Sequence, residues 1–280
     1  MKRLTKRDSE IERKIAETFE MIKKKLGRSG PFPELLVILG SGFKGFADSL
    51  TKKMAINIAE IPHFSSPSVE GHGSHLMVGL SGKIPVAVMT GRVHVYEGCS
   101  IADVVYPIRA LSRLGVRRVL LTNASGSLRP DVKPGETLII KDHINLTGQN
   151  CLIGKEARFF GPSFLDMGDC YNATWRQRIA RKTGLREGVY CGVLGPTFET
   201  PAEAAFFGQL GADVIGMSTV QEAIAAHQLG LKVAGMTFVT NYSGSKVEGK
   251  LCHEEVLELA KANGPVLTRQ LTLAIGATDL

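Results

Sequence analysis

Several short stretches of this chain gather polar side chains that suit an oxyanion or a planar base, and most of them follow an apolar run directly. Gly40-Ser41-Gly42-Phe43-Lys44-Gly45 matches G-x-G-x-x-G, a loop whose backbone N–H groups and following helix suit a phosphate or pyrophosphate. Pro62, His63, Pro67 and the glycine-flanked His72 then interrupt the region where a dinucleotide-binding unit would run as a clean helix toward an acidic strand end. A single phosphate held with the help of the Ser41 hydroxyl therefore competes with a dinucleotide and with a plain tight turn. In Gly91-Arg92-Val93-His94-Val95-Tyr96-Glu97-Gly98 a permanent cation, an imidazole and a phenol recur at period two, one face if the chain stays extended. Asn123-Ala124-Ser125-Gly126 offers small residues whose main chain can approach a ligand. Gly216-Met217-Ser218-Thr219 does so beside a helix start, where an ordinary cap explains either hydroxyl equally well. In Gly195-Pro196-Thr197-Phe198-Glu199-Thr200-Pro201 an aromatic ring able to cover a base stands beside a carboxylate able to accept its ring N–H. Asn241 closes a long apolar run with an amide that both donates and accepts. His253 lacks the second histidine four residues on that H-E-x-x-H metal binding needs, so capping or binding a hydroxyl suits it better. The sequence contains no nucleophile elbow, Walker loop or kinase signature, and covalent catalysis has no support in it.

The elements that must position these groups read as alternating strands and helices. Strands are predicted at Leu35–Leu39, Met54–Ile58, His75–Leu80, Ile84–Met89, Arg118–Thr122, Glu136–Ile140, Val189–Leu194, Asp213–Gly216 and Lys232–Thr240, with Ser81-Gly82-Lys83 as a hairpin turn. Helical spacing covers Ile101–Leu114, Ala173–Thr183, Pro201–Leu210, Thr219–Leu229 and His253–Leu273. This pattern predicts an α/β fold with a mixed, mostly parallel central sheet flanked by helices, and ligands at its strand ends. Ile11, Ile15, Phe19, Ile22 and Leu26 make the first 30 residues an amphipathic helix, and residues 31–280 one domain. The stretch Asn145–Tyr171 is read as a functional or interface loop.

Composition narrows the classes. Of 280 residues 44% are hydrophobic and 22% charged, which suits a buried core and argues against disorder. The formal charge of +7 is concentrated at the start, where residues 1–25 hold nine Lys and Arg against five acids. A solvated helix face explains that excess without nucleic acid. No apolar run long enough for a signal or a membrane span is seen, so a cytoplasmic enzyme is expected. Cys99, Cys151, Cys170, Cys191 and Cys252 are odd in number, scattered and free of C-x-x-C, which predicts structural thiols and no metal.

Taken in order, GSGFKG, EGHGSH, GRVHVYEG, TNASGSL, KDHINLTGQN, GPTFETPAE, GADVIGMSTV, TN and HEEV closely resemble the trimeric purine nucleoside phosphorylases, from Leu35 to Val256. The resemblance implies one α/β domain, a homotrimer, and phosphate-dependent cleavage of purine ribonucleosides with a preference for 6-oxopurines. It implies phosphate as co-substrate and no cofactor, metal, nucleic acid or membrane. By the same resemblance Ser41, Arg92, His94, the Ala124 N–H and Ser218 hold phosphate, with His72 nearby. Tyr96, Met217 and His253 meet the ribose, Phe198, Glu199 and Asn241 meet the base, and Phe160 reaches the neighbouring subunit. Glu199, Asn241 and His94 would carry catalysis. Asn241 favours inosine and guanosine, since the related methylthioadenosine phosphorylases have Asp there; methylthioadenosine or xanthosine are the alternative substrates, and a non-catalytic nucleotide-binding module the alternative class. Lys44, Ser125, Ser127, Gln221 and the segment Tyr242-Ser243-Gly244-Ser245-Lys246 depart from the family pattern.

Overall fold

The computed structural model describes residues 6–27, 30–68, 73–244 and 253–278. Helix α1 (Lys6–Leu26) has Asp8 in its first turn and Lys23, Lys24 and Lys25 in its last, the charge order that opposes the helix dipole. It buries Ile15, Ile22 and Leu26, and the Thr18 hydroxyl donates to the Pro62 carbonyl at 2.9 Å. Its basic face is partly neutralised by Glu156, Glu17 and Glu60, which pair with Arg7, Arg13 and Lys25.

Among the described residues nine strands follow: β1 (Leu35–Ile38), β2 (Thr51–Asn57), β3 (His75–Ser81), β4 (Ile84–Met89), β5 (Arg118–Ser127), β6 (Thr137–Asn145), β7 (Glu187–Gly192), β8 (Val214–Gly216) and β9 (Lys232–Tyr242). The interleaved helices are α2 (Gly45–Ser49), α3 (Ile101–Leu114), α4 (Ala157–Phe160), α5 (Ala173–Thr183), α6 (Pro201–Gln209), α7 (Val220–Gln228), α8 (His253–Ala262) and α9 (Gly264–Ile275). The sheet order is β2-β3-β4-β1-β5-β8-β7-β6-β9, and β5 also pairs with β9, so the last five strands close into a ring. Five of the nine pairings are parallel.

Strand alternation divides the core. Leu36 and Ile38 of β1 face a cluster that includes Ile22, Leu111 and Val220 of α1, α3 and α7. Leu35 and Val37 face another that includes Phe46, Ile179 and Leu271 of α2, α5 and α9. Arg117 and Arg118 both donate their N–H groups to the Glu34 carbonyl, which sets the β1–β5 register before the strands begin.

Three of the differences between the structure and the sequence reading bear on the site. The predicted single helix His253–Leu273 is two helices, because Gly264 and Pro265 end one and start the other. Strand β5 runs five residues past Thr122, so Asn123 to Ser127 lie in a strand and not in a loop; β9 pairs with them as far as Ser127↔Tyr242 across a register shift. Finally, the extended run after β4 stops at His94. Glu97 accepts the His94 N–H at 2.7 Å and turns the chain into a short 3-10 helix over Val95–Glu97, ended by Gly98 at φ +88°. Among the described residues no helix is long and apolar enough to cross a membrane.

Candidate active site

The carboxyl ends of β1, β4, β5 and β9 all open on one cleft. Close approach there depends on glycine. A Cβ at Gly40 would lie 2.5 Å from the Thr122 carbonyl oxygen, and one at Gly216 would lie 2.4 Å from the Tyr190 hydroxyl. The loop after β1 brings Ser41 to the cleft wall, and the chain after β4 brings Arg92, His94 and Tyr96. β5 contributes Asn123 and Ala124, the turn after β8 Met217 and Ser218, the segment before α6 Phe198 and Glu199, and β9 Asn241. Ten of the thirteen residues singled out from the sequence thus share one cavity.

The other three stand apart. His72 lies outside the described residues, as does the side chain of His253, whose backbone opens α8. Phe160 does not line the cleft of its own chain; its ring lies over the Arg109 guanidinium, 4.4 Å from centroid to Cζ.

Arg92 is 4% exposed and held from several sides. Its Nη1 donates to Ser218 Oγ (3.1 Å), Thr219 Oγ1 (3.3 Å) and Glu222 Oε2 (3.2 Å), and its Nη2 donates to the carbonyls of Ile38 and Thr122. Glu222 is equally buried and also accepts the Thr219 N–H at 2.9 Å. Thr219 has φ +73°, uncommon for a β-branched residue. The Glu222 carboxylate and Asn123 Nδ2, which donates to Thr219 Oγ1 at 2.7 Å, keep it there. The capping role thus falls to Thr219 and Glu222, and Ser218 is left to the cleft. Two buried polar atoms of cleft residues have no hydrogen-bond partner among the described residues: the donor Arg92 Nε and the acceptor Asn123 Oδ1.

His94 donates through Nδ1 to Glu97 Oε1 at 2.8 Å, since a carboxylate can only accept, and Ser68 holds the other Glu97 oxygen. Burial, chiefly, pushes the imidazole down to about 4; the Glu97 hydrogen bond opposes that shift and the charge of Arg92 adds to it. The ring is neutral near pH 7, its proton is on Nδ1, and Nε2 is an acceptor. Burial would raise the Glu97 carboxyl, but hydrogen bonds from Ser68 and His94 outweigh it and keep it below the usual range. Tyr96 stacks on His94 with centroids 4.7 Å apart and planes 12° from parallel, and burial raises its phenol to about 12.

At the other end of the cleft, Phe198 is 42% exposed. Ser243 Oγ donates to Glu199 Oε2, and Thr240 Oγ1 lies 2.8 Å from Asn241 Oδ1 as donor, which turns the amide N–H₂ outward as a donor of its own.

Comparison with known proteins fixes the family. The sequence pattern of the phosphorylase superfamily matches residues 34–275. This chain belongs to that superfamily. It is 39% identical to purine nucleoside phosphorylase 1 of Geobacillus stearothermophilus, over 87% of this chain and 90% of the relative. It is 38% identical to the purine nucleoside phosphorylase of Bos taurus, over 88% of this chain and 89% of that one. A Schistosoma mansoni purine nucleoside phosphorylase solved in complex with inosine superposes with a TM-score of 0.87 at 33% identity, covering 96% of this chain and 97% of its own. The phosphorylase resemblance read from the motifs is thereby borne out, with its α/β fold.

Several residues that shape the cleft were not singled out from the sequence. Glu222 and Glu97 each stand three positions after a residue whose N–H they accept, Thr219 and His94, and that spacing is legible as a capping box. Their second partnerships, with Arg92 and the His94 ring, join groups that only the fold or the turn brings together. The departures also find places. Gln221 accepts the Cys151 N–H at 2.8 Å and donates to the Gln149 carbonyl at 3.0 Å, tying the loop after β6 to α7. Ser125 Oγ accepts from Thr237 Oγ1 at 2.6 Å inside the sheet, and Ser127 Oγ donates to the Arg129 carbonyl. Burial raises the thiols of Cys151 to about 11 and of Cys170 and Cys191 to about 12, which suits packing and not reactivity. Among the described residues no three His, Cys, Asp or Glu side chains gather as metal ligands.

Proposed function

We propose that this chain cleaves purine ribonucleosides, inosine and guanosine and their deoxy analogues, with inorganic phosphate to give the free base and ribose 1-phosphate in purine salvage. The observation that carries this reading is that one cleft holds an anion-binding end, with Arg92, His94, Ser218 and Ser41, and a base-binding end, with Phe198, Glu199 and Asn241. Breaking the glycosidic bond leaves the sugar with oxocarbenium character and sends the bonding electrons into the purine. A phosphate oxygen forms the new bond to the anomeric carbon, so no protein nucleophile is needed.

Arg92, Ser218, Ser41 and the Ala124 N–H orient that phosphate, with His72 near them. Neutral His94, aligned by its Nδ1 hydrogen bond to Glu97, helps to orient the phosphate for attack. Tyr96, Met217 and His253 meet the ribose. At the base, Asn241 donates to the purine as negative charge develops there, a preorganised donor worth roughly 10²–10³ in rate, and Glu199 accepts from the ring N–H beside Phe198. No organic cofactor or metal enters this scheme.

Residues 31–280 are taken as one catalytic domain, to which segment 1–30 adds a helix, and the enzyme as a cytoplasmic homotrimer without nucleic-acid or membrane partners. Support for the trimer lies in the segment after β6, where Phe164 is 99% exposed and Phe160, packed on Arg109, does not line its own cleft. The test is incubation with inosine with and without phosphate. Hypoxanthine release that requires phosphate agrees with the proposal, and release without it indicates a hydrolase.

A further inference from the structure

The base end of the cleft holds a contact that the family motifs do not include. Ser243 sits just beyond β9, and its N–H donates to the Ser127 carbonyl at 2.8 Å, so the sheet fixes its backbone. Across from it, Gly126 leaves room: a Cβ there would come within 3.2 Å of both Ser243 Cβ and Asn241 Nδ2. From this position the Ser243 hydroxyl donates to Glu199 Oε2. Glu199 itself is carried by the irregular segment before α6, beside the half-exposed Phe198, so the tether joins that segment to a strand end.

We propose that Ser243 is a specificity-determining positioning residue: by engaging one oxygen of Glu199 it biases the site toward purines that present a single ring N–H and against those that add a neighbouring amino group. This rests on the reading above in which Glu199 meets the purine edge. A carboxylate with both oxygens unencumbered matches two parallel donors in fork geometry, as it does with a guanidinium. The base of guanosine presents such a pair, its ring N–H and its 2-amino group, whereas the base of inosine presents the ring N–H alone. With Ser243 on Oε2, the second donor of a guanine-type base meets an oxygen that already accepts a hydrogen bond, in an orientation set by the serine. The single donor of a hypoxanthine-type base uses Oε1 and benefits from a carboxylate that is already aligned.

The experiment compares phosphate-dependent kcat/KM for inosine and guanosine in the full-length protein and its Ser243→Ala and Ser243→Thr variants. Ser243→Ala is expected to raise the guanosine to inosine ratio by about 3- to 10-fold, within the net worth of one typical hydrogen bond. Ser243→Thr keeps the hydroxyl and is expected to hold the original ratio. A merely structural role lowers both substrates together, so an unchanged or lower ratio in Ser243→Ala, with inosine still cleaved, overturns the proposal and leaves the reading of the site intact. If the unsubstituted protein cleaves neither nucleoside with phosphate, the reading of the site fails, and the Ser243 proposal with it.

Discussion

The two ends of the cleft are built differently. The anion end lies where β1, β4 and β5 run parallel, and its charged groups are buried and tied to the backbone: Arg92 to the carbonyls of Ile38 and Thr122, Glu222 to the N–H of Thr219, and Glu97 to the N–H groups of Ser68 and His94. At the base end the aromatic and the carboxylate come from an irregular segment, Phe198 is 42% exposed, and side chains such as Ser243 do the tethering. The difference teaches that the anion end forms as a part of folding, while the base end can change without cost to the core. Substitutions at the first should therefore damage stability and catalysis together, and those at the second should change activity and substrate choice without loss of stability.

The strongest test of that division is Arg92→Ala. It leaves the Glu222 carboxylate buried without its cation, and breaking a buried pair in this way costs about 3–5 kcal/mol. Loss of an oriented donor to the phosphate should also lower kcat/KM for phosphate by about 10³-fold. The double variant Arg92→Met, Glu222→Gln removes both charges and should recover most of the stability, read from urea unfolding, without recovering activity. Recovery of both would show that Arg92 is a structural residue only.

At the base end the corresponding change is Asn241→Asp. The Thr240 hydroxyl can still donate to the new side chain, so the fold should be undisturbed and the unfolding midpoint nearly unchanged. The outward N–H₂ is replaced by an acceptor, however, and inosine cleavage should fall by about 10²-fold while adenosine gains relative to inosine. The KM for phosphate should stay near its original value. A large stability loss, or an unchanged nucleoside preference, would erase the contrast between the two ends.

Much of both ends was legible in the sequence, because glycines and apolar runs mark where strands stop and ligands can approach. Gly40, Arg92, Ser218, Glu199 and Asn241 were found that way and share one cleft. What could not be read depends on pairing between distant segments. Asn123 to Ser127 have little strand propensity, yet they continue β5 because β9 supplies the ladder. The period-two face of Arg92, His94 and Tyr96 is lost because the local Glu97 cap turns the chain, and the three meet the same cavity by another route. The Thr219-x-x-Glu222 spacing is visible locally, but its partner Arg92 stands 130 positions earlier, and nothing in either segment names the other.

A further expected effect uses acid to separate the two ends. Burial lowers the His94 imidazole from 6.5 to about 4, so between these values the unfolded chain binds a proton that the folded one refuses. The stabilisation is fully present above pH 6.5 and is lost as the pH falls through about 4. For this shift the loss between pH 7.5 and 4 is about 3 kcal/mol. Half-buried His143 shifts in the same direction, and the lowered carboxyls of Glu17, Glu97, Asp131 and Glu203 add their own losses in acid. Urea unfolding at pH 7.5, 5.5 and 4, run in parallel on the unsubstituted protein and on His94→Gln, whose amide can still donate to Glu97, should show a steeper decline in the former by about 3 kcal/mol. Parallel declines would mean that His94 meets water in the folded protein. The anion end would then be as open as the base end, and the contrast between them would fail where it is most local.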